Sequence, residues 1–544
     1  MLRWIAWSWV VVFTIVPENA RLQPVRINGG FSVYSEAYGQ QGLRFNRRPG
    51  QQLGAQGQLT LTIGGQLTLP FSFYLSTDDV GYQLPFNQFG VSPRWRWIQL
   101  HAGYFSTRLT ELTLRDARLL GGGLSLTPGP FRLAFVQGLT QRAVPADTLR
   151  DQPPLLRQTL TAVQIGVGEE AGWHFWVTGL RAKDTPDLEA YETYGVAPQD
   201  NLVLSTAVGL APLPGRLQLK TEVAASVYTP DVLAGALDFN RAFQQLQELF
   251  GSLVALRVGS RIDVAVSSTL ILRPARTFQL QLQSRYVGPG FRSLGAIQLE
   301  NDILDLLVAP RILTRPVQVA ARFGVRRNNL AGSRLSTRQR GLAAINATFL
   351  FSSAFSVAAE FTNFGVRLSR RIDTLTVSNI SRQFGLTPTL RLQSGAWLHT
   401  ITLSLRYQQA NERYVGLTQS RLTRNQDLMV SHSLTFPQRH TLTSSLSLNR
   451  SLFDSLQTTV LNWNESLTLQ WGRARATLSA GLQRSQAQFT DTGFIGRFNL
   501  SIPAGPRGQL QLRLNLRSYQ YGQMRLDSRG YTEGTAYLGY SYRF

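Results

Sequence analysis

From Leu510 to Leu516 the chain alternates strictly. Leu510, Leu512, Leu514 and Leu516 fall at one parity, and Gln511, Arg513 and Asn515 at the other. Successive residues of a strand face opposite sides, so this segment is a strand with one apolar and one wet face. The pattern recurs along the chain. Phe278, Leu280 and Leu282 oppose Gln279, Gln281 and Gln283, while Ile401, Leu403, Leu405 and Tyr407 oppose Thr402, Ser404 and Arg406. Val317, Val319, Ala321 and Phe323 oppose Gln318 and Arg322, and Leu217, Leu219 and Val223 oppose Gln218, Lys220 and Glu222.

A soluble sandwich also alternates. Two features favour a membrane-spanning barrel instead. The segments run about 10 to 13 residues, longer than the usual soluble strand of about 5 or 6 and matched to a tilted crossing of a bilayer. The links between them alternate short and long. Short ones fall at 127–130, 212–215, 273–276, 436–439 and 503–508, and long ones near 142–157, 184–200, 229–259, 367–383 and 411–425. Short turns on one side and long loops on the other are the layout of such barrels. Lipid cannot hydrogen-bond a backbone, so a sheet that crosses it has to close on itself. Aromatic residues near segment ends (Trp95, Trp97, Trp397, Trp471, Tyr519, Tyr521 and Tyr540) are candidates for interfacial girdles.

The N-terminus reads as an export signal over residues 1–20, with Arg3 as a short basic region and Ile5 to Val16 as an apolar core. Residues 21–544 then form one barrel. Cysteine is absent, so no disulfide framework or thiolate metal site exists. The formal net charge is +23, and Lys183 and Lys220 are the only lysines among 55 basic residues, so the positive charge is almost wholly guanidinium. These arginines are spread along the chain rather than clustered in one patch. That argues against a nucleic-acid partner.

At the C-terminus Ala536, Leu538, Tyr540, Tyr542 and Phe544 share one face, and Tyr537, Gly539, Ser541 and Arg543 the other. This segment resembles the terminal insertion signal of outer-membrane β-barrel proteins of Gram-negative envelopes, in which alternating apolar and aromatic positions end in Phe. The match is carried by Leu538, Tyr540, Tyr542 and Phe544. The resemblance implies location in the outer membrane, with its lipid and glycolipid as surroundings and the barrel-assembly machinery as a partner in biogenesis. Phe544 is then expected on the periplasmic side. The short links become periplasmic turns and the long ones external loops.

Working backward from Phe544, the rhythm stays regular to about residue 316, and a further strand is expected around Gln298 to Val308. The segment Leu84 to Gly90 reads as a loop, an inward fold or a short strand. An even total of about 26 strands, within roughly 22 to 28, follows for the all-β, antiparallel transmembrane barrel. The long link 229–259 is the expected helical insert: Ala236, Phe239, Phe243, Leu246 and Phe250 recur at three- and four-residue spacing. It is expected to rest on the rim, to cap the mouth, or to narrow the lumen.

A barrel this wide has a lumen that side chains cannot fill. Alternation places Lys220, Arg285, Arg322, Arg406, Arg513 and Arg517 on its inner wall. Arginine on the lipid face would cost about 2 to 4 kcal/mol at mid-depth, which favours the same assignment. Such a wall favours anions, unless acidic neighbours neutralise it. Arg334, Arg338 and Arg340, taken as loop residues, are candidates for phosphates of surface glycolipid. The five histidines (His101, His174, His399, His432 and His440) lack ligand spacing, so neither metal nor cofactor is expected. The glycines 121–123 lie in a strand-like stretch and read as room for curvature. No grouping of nucleophile, base and acid stands out, so no enzyme is expected. The leading expectation is a channel for solutes, anionic ones among them. The alternative is a protein-secretion or surface-assembly barrel working with partner proteins. A plugged receptor coupled to the inner membrane is disfavoured, because alternation already begins at Val25.

Overall fold

The computed structural model describes residues 25–43, 45–77, 88–146, 152–235, 253–370, 376–415, 420–525 and 528–544. The expected export signal over 1–20 and the apolar stripe from Ala236 to Phe250 lie outside them.

The alternating segments become one antiparallel sheet. Its first part comprises β1 (Arg26–Gln41), β2 (Gln51–Ile63), β3 (Leu67–Ser76), β4 (Gln88–Val91), β5 (Arg94–Trp95), β6 (Ile98–Thr107), β7 (Ala117–Leu126), β8 (Phe131–Gln141) and β9 (Gln158–Gly168). There follow β10 (His174–Asp184), β11 (Asp200–Leu213), β12 (Leu217–Thr229), β13 (Arg261–Ala275), β14 (Phe278–Val287), β15 (Ile303–Leu313) and β16 (Val317–Asn328). Next come β17 (Ser336–Leu350), β18 (Phe355–Arg370), β19 (Thr376–Ser394), β20 (Trp397–Val415), β21 (Ser420–Thr435) and β22 (Thr441–Phe453). The last are β23 (Leu456–Trp471), β24 (Ala474–Gln486), β25 (Thr490–Ala504), β26 (Gly508–Arg525) and β27 (Ser528–Arg543). Each strand pairs with its sequence neighbour. β4 and β5 lie end to end between β3 and β6, forming one interrupted stave. β1 pairs with β27 from Gly30↔Arg543 to Gln41↔Thr532, which closes a barrel of 26 staves and leaves no free edge.

One face of this cylinder carries the apolar rows. Leu510, Leu514 and Leu516 on β26, Ile401 and Leu405 on β20, and Phe323 and Val325 on β16 are all exposed there. At the end that holds Phe544 the links are short: residues 127–130, 276–277, 395–396, 472–473 and 505–507 make turns. At the other end the links of the first half are long. The link at 185–199 contains the helix α1 (Leu188–Tyr194), the single helix among the described residues. Asp187 caps α1 by accepting from the Glu189 and Ala190 amides, and Gly195 ends it in the left-handed conformation at φ 68°.

The helix α1 stands in the 185–199 link, where none was expected, and the helical stripe expected at 236–250 lies outside the described residues. The described ends of 229–259 rest against the outer side of the rim. There Val254 is buried with Leu202 and Val227, and the Ala255 amide donates to Asp200 at 3.1 Å. The strand expected from Gln298 begins only at Ile303, because Asp302, at φ 60°, turns the chain and anchors the Leu330 amide and Arg334. The supposed long links 367–383 and 411–425 are mostly strand, since alternation carries β19 and β20 to 19 residues each. Of the Leu84–Gly90 segment, residues 88–90 belong to the short strand β4, and 84–87 lie outside the described residues.

Candidate functional site: the inner wall and its two inturned segments

The inner face has two kinds of surface. Along β7 to β15 many of its side chains are apolar or small: Leu119, Ala134, Val136, Leu160, Ala162, Leu180, Ala182, Val203, Ala224, Ala265 and Val287 are all fully or almost fully buried. Two links turn inward and cover them. Residues 108–116, between β6 and β7, contribute Leu109, Leu112 and Leu114; residues 288–302, between β14 and β15, contribute Phe291 and Leu294. Each such side chain buried stabilises the docked arrangement by about 1.5–3 kcal/mol.

Polar contacts fix the register of the two segments. Glu222 of β12 accepts from the Glu111 amide at 2.9 Å and the Leu112 amide at 3.2 Å. Gln164 of β9 donates to the Leu109 carbonyl at 3.2 Å and to Thr178 at 3.0 Å. Asn201 of β11 donates to the Arg292 carbonyl and accepts from the Leu294 amide, both at 2.9 Å. The segments also hold each other, through Ser293 to the Thr113 carbonyl at 2.6 Å and the Arg115 amide to the Gly295 carbonyl at 3.1 Å. Buried backbone groups demand such partners. Asp116 and Asp302 take left-handed φ values of 53° and 60° where the segments rejoin β7 and β15. Aspartate tolerates that region better than most residues.

The six basic candidates lie on inward-facing positions of five strands, in two environments. Arg285 is spent on the inturned segment, donating to Glu111 at 3.2 Å. Arg406 pairs with Glu360 at 3.0 Å, and Arg517 lies 4.0 Å from Glu533. Arg513 lies over the Tyr537 ring at 4.9 Å and donates to Gln511 at 2.9 Å. Lys220 and Arg322 have no carboxylate partner among the described residues. Partial neutralisation is therefore part of the wall. Of the three arginines expected in external loops, Arg338 and Arg340 belong to β17, and Arg334 is held by Asp302 at 3.1 Å. The β17 ladder runs further than expected and draws the first two off the loop.

The C-terminal residues Leu538, Tyr540, Tyr542 and Phe544 lie outside, where Phe31 of β1 packs against Tyr540, Tyr542 and Phe544 at 5.9–6.2 Å between ring centres. Trp95, Trp97, Trp397 and Trp471 are exposed near the short turns, as a girdle requires. Tyr519 and Tyr521 depart from that expectation, turning inward to stack with Tyr531. His399 and His432, far apart in sequence, meet at 3.1 Å on the outer face beside Trp397. Gly121 permits a close strand approach, since a Cβ there would lie 2.1 Å from the Gln137 carbonyl oxygen.

A closed sheet with exposed leucine rows outside and a polar-bearing wall inside has one environment that suits it. The chain is a multi-pass outer-membrane β-barrel. No protein-family model and no curated protein sequence matches this barrel. Among solved structures it is similar to the siderophore receptor PirA from Pseudomonas aeruginosa, with TM-score 0.38, 10% identity, and 96% of this chain and 81% of that one covered. It is similar also to Pseudomonas aeruginosa OpdK with vanillate, with TM-score 0.31, 11% identity, and 64% and 93% covered. A third is the P pilus usher (PapC) translocation pore, with TM-score 0.26, 11% identity, and 95% and 99% covered. Likeness at this level leaves function to be read from the barrel's own residues.

The sequence-based reading missed the inturned segments and their anchors Glu111, Gln164, Asn201 and Glu222. A signal for them exists. From Phe131 to Leu139 both parities are largely apolar, as are Ala162, Val163 and Ile165 on β9. A strand apolar on both faces is covered on both faces.

Proposed function

We propose that the barrel passes anionic solutes, along the wetter wall of β16 to β27 beside the two inturned segments. The observation that carries this reading is the pair Arg322 and Arg513, inward-facing guanidinium groups with no carboxylate partner among the described residues. Unpaired guanidinium groups in a confined lumen raise the local concentration of anions. Arg406 and Arg517, shared with Glu360 and Glu533, contribute less, and Lys220 adds to the effect from the covered side. The reading is one of transport, not catalysis.

Planar-bilayer recordings of folded protein across a potassium chloride gradient test it. The expected reversal potential has the sign of anion preference, and Arg322→Gln moves it toward zero without lowering thermal stability. A silent bilayer, or a reversal potential of the opposite sign, defeats the reading.

The width of the barrel, 26 staves, favours a second reading: export of proteins in company with partner chains. Stable co-purifying partners from native membranes would support it over the first. The outer aromatic row that ends in Tyr540, Tyr542 and Phe544 is proposed as the signal for the assembly machinery. Deletion of Phe544 tests this by the yield of folded barrel in the membrane.

A further inference from the structure

At the seam where the barrel closes, the inner wall forms a concavity of about 770 Å³. It lies across β26, β27, β1, β2, β3 and β4, and reaches Tyr104 of β6 and Arg118 of β7. Its lining brings together side chains that neither the fold nor the anion reading requires to be neighbours. Tyr537 and Tyr74 belong to the lining, and Tyr34 at its edge stacks on Tyr537 with ring centres 5.6 Å apart and planes 19° from parallel. The Tyr34 hydroxyl lies 3.3 Å from that of Tyr74. Two glycines make room for the rings: a Cβ on Gly54 would meet the Tyr34 ring at 2.3 Å, and one on Gly539 would meet Tyr537 at 2.6 Å. The rings therefore lean along the wall instead of projecting across the lumen, and form an aromatic platform that spans the four strands from β27 to β3.

The lining of the concavity is rich in primary amides and holds no carboxylate, and Glu36, the cross-strand neighbour of Tyr537, is paired with Arg48 at 3.0 Å. Gln56, Gln58 and Gln511 stand on the same face, with Arg513 over Tyr537 and Arg543 below. An amide offers two donors and one acceptor and suits a hydroxyl, which both gives and takes. Aromatic faces carry negative charge density and attract the C–H bonds of a ring lying on them. A guanidinium forks onto a carboxylate. Flat aromatic surface, amides and guanidinium together describe one ligand chemistry: pyranose rings that bear carboxylates. A simple inorganic anion has no use for the rings or the amides, and a neutral sugar has none for the arginines. The volume lies within the range of small-ligand sites and suits a few sugar residues.

We infer that this seam concavity is a binding site for acidic oligosaccharides. The assignment deepens the anion-passage reading and rests on it for the charge of the ligand. Its test needs no current: calorimetric titration of the full chain in detergent micelles with trigalacturonate, maltotriose and citrate. Trigalacturonate is expected to bind, and maltotriose and citrate to bind at least about tenfold more weakly, a difference of about 1.4 kcal/mol. Tyr537→Ala is expected to weaken trigalacturonate by a similar factor while the heat-modifiable gel shift of the folded barrel persists. Should that variant not fold, Arg513→Gln, which keeps the rings, is expected to weaken trigalacturonate and leave maltotriose unchanged. Failure of trigalacturonate to bind, or citrate binding as tightly, overturns the assignment. So does binding that neither substitution alters. A barrel that binds trigalacturonate yet conducts nothing would retain this site and lose the channel.

Discussion

The arc from β7 to β15 and the arc from β16 to β27 solve the same problem in different ways. Both show lipid an apolar face. Inside, the first is lined by Leu160, Leu180, Val203 and small residues, and is roofed by the segments 108–116 and 288–302. The second is lined by hydroxyls, amides and guanidinium groups, and its strands brace each other. Ser433 and Thr443 lie at 3.2 Å, Ser466 and Ser479 at 3.0 Å, and Thr468 and Thr477 at 3.2 Å across neighbouring strands. Cross-strand hydroxyl pairs of this kind contribute roughly 0.2–1 kcal/mol each. A stave can thus be buried on both faces or wetted on one, and the choice is made by every second residue.

The sharpest way to break this contrast is to make the roof polar. Leu112 is 0% exposed, and Leu112→Asp places a carboxylate where burial costs at least about 3 kcal/mol. Undocking of 108–116 is expected, read as new tryptic cleavage at Arg108 and Arg115 and as a severalfold rise in single-channel conductance. Unchanged cleavage and conductance would mean that the roof does not depend on its leucines. A gentler version is Glu222→Ala, which strands the amides of Glu111 and Leu112. The expected cost is about 1–3 kcal/mol, seen as faster hydrogen exchange at residues 109–114 with the β16 to β27 ladder unaffected.

In the wet arc, Glu360→Gln should sharpen the contrast. It removes the carboxylate that holds Arg406 at 3.0 Å, so the reversal potential should shift further toward anions. Thermal stability should change by less than about 1 kcal/mol, because the pair is largely exposed. The smallest effect concerns α1, outside the membrane. The Tyr191 hydroxyl donates to Asp231 at 3.0 Å, and this bond to a carboxylate raises the phenol above its usual value. The contact is therefore complete at neutral pH and below the ordinary phenol range, and is lost as pH climbs through the raised value. Absorbance titration of the phenolates should show one late-titrating tyrosine fewer in Asp231→Asn than in the parent chain.

Much of the fold was legible. The lipid-facing rows, the short turns at 127–130, 436–439 and 503–508, and the total of about 26 strands follow from period-two alternation and turn chemistry. The misplaced elements are those set by contacts far apart in sequence. Asp302 ends the inward excursion because Arg334 and the Leu330 amide meet it, and no local pattern announces that. The inward positions of Arg285, Arg406 and Arg513 could be read by parity. Their partners could not, since Glu111, Glu360 and Tyr537 reach them from other strands or segments. The aromatic platform was hidden for the same reason: Tyr34 and Tyr537 stand at opposite ends of the chain and become neighbours only when β1 meets β27.

The unequal strand lengths give the mouth a slope. At about 3.3 Å per residue, the 19 residues of β19 and β20 extend roughly 30 Å further along the strand than the 10 residues of β6 and β7. One flank of the cylinder therefore stands up like a palisade, and the opposite flank stops low. A solute drifting in along the cell surface from the tall side meets a fence. On the low side the rim is made of links instead of paired strand, so the entrance has a front and a back.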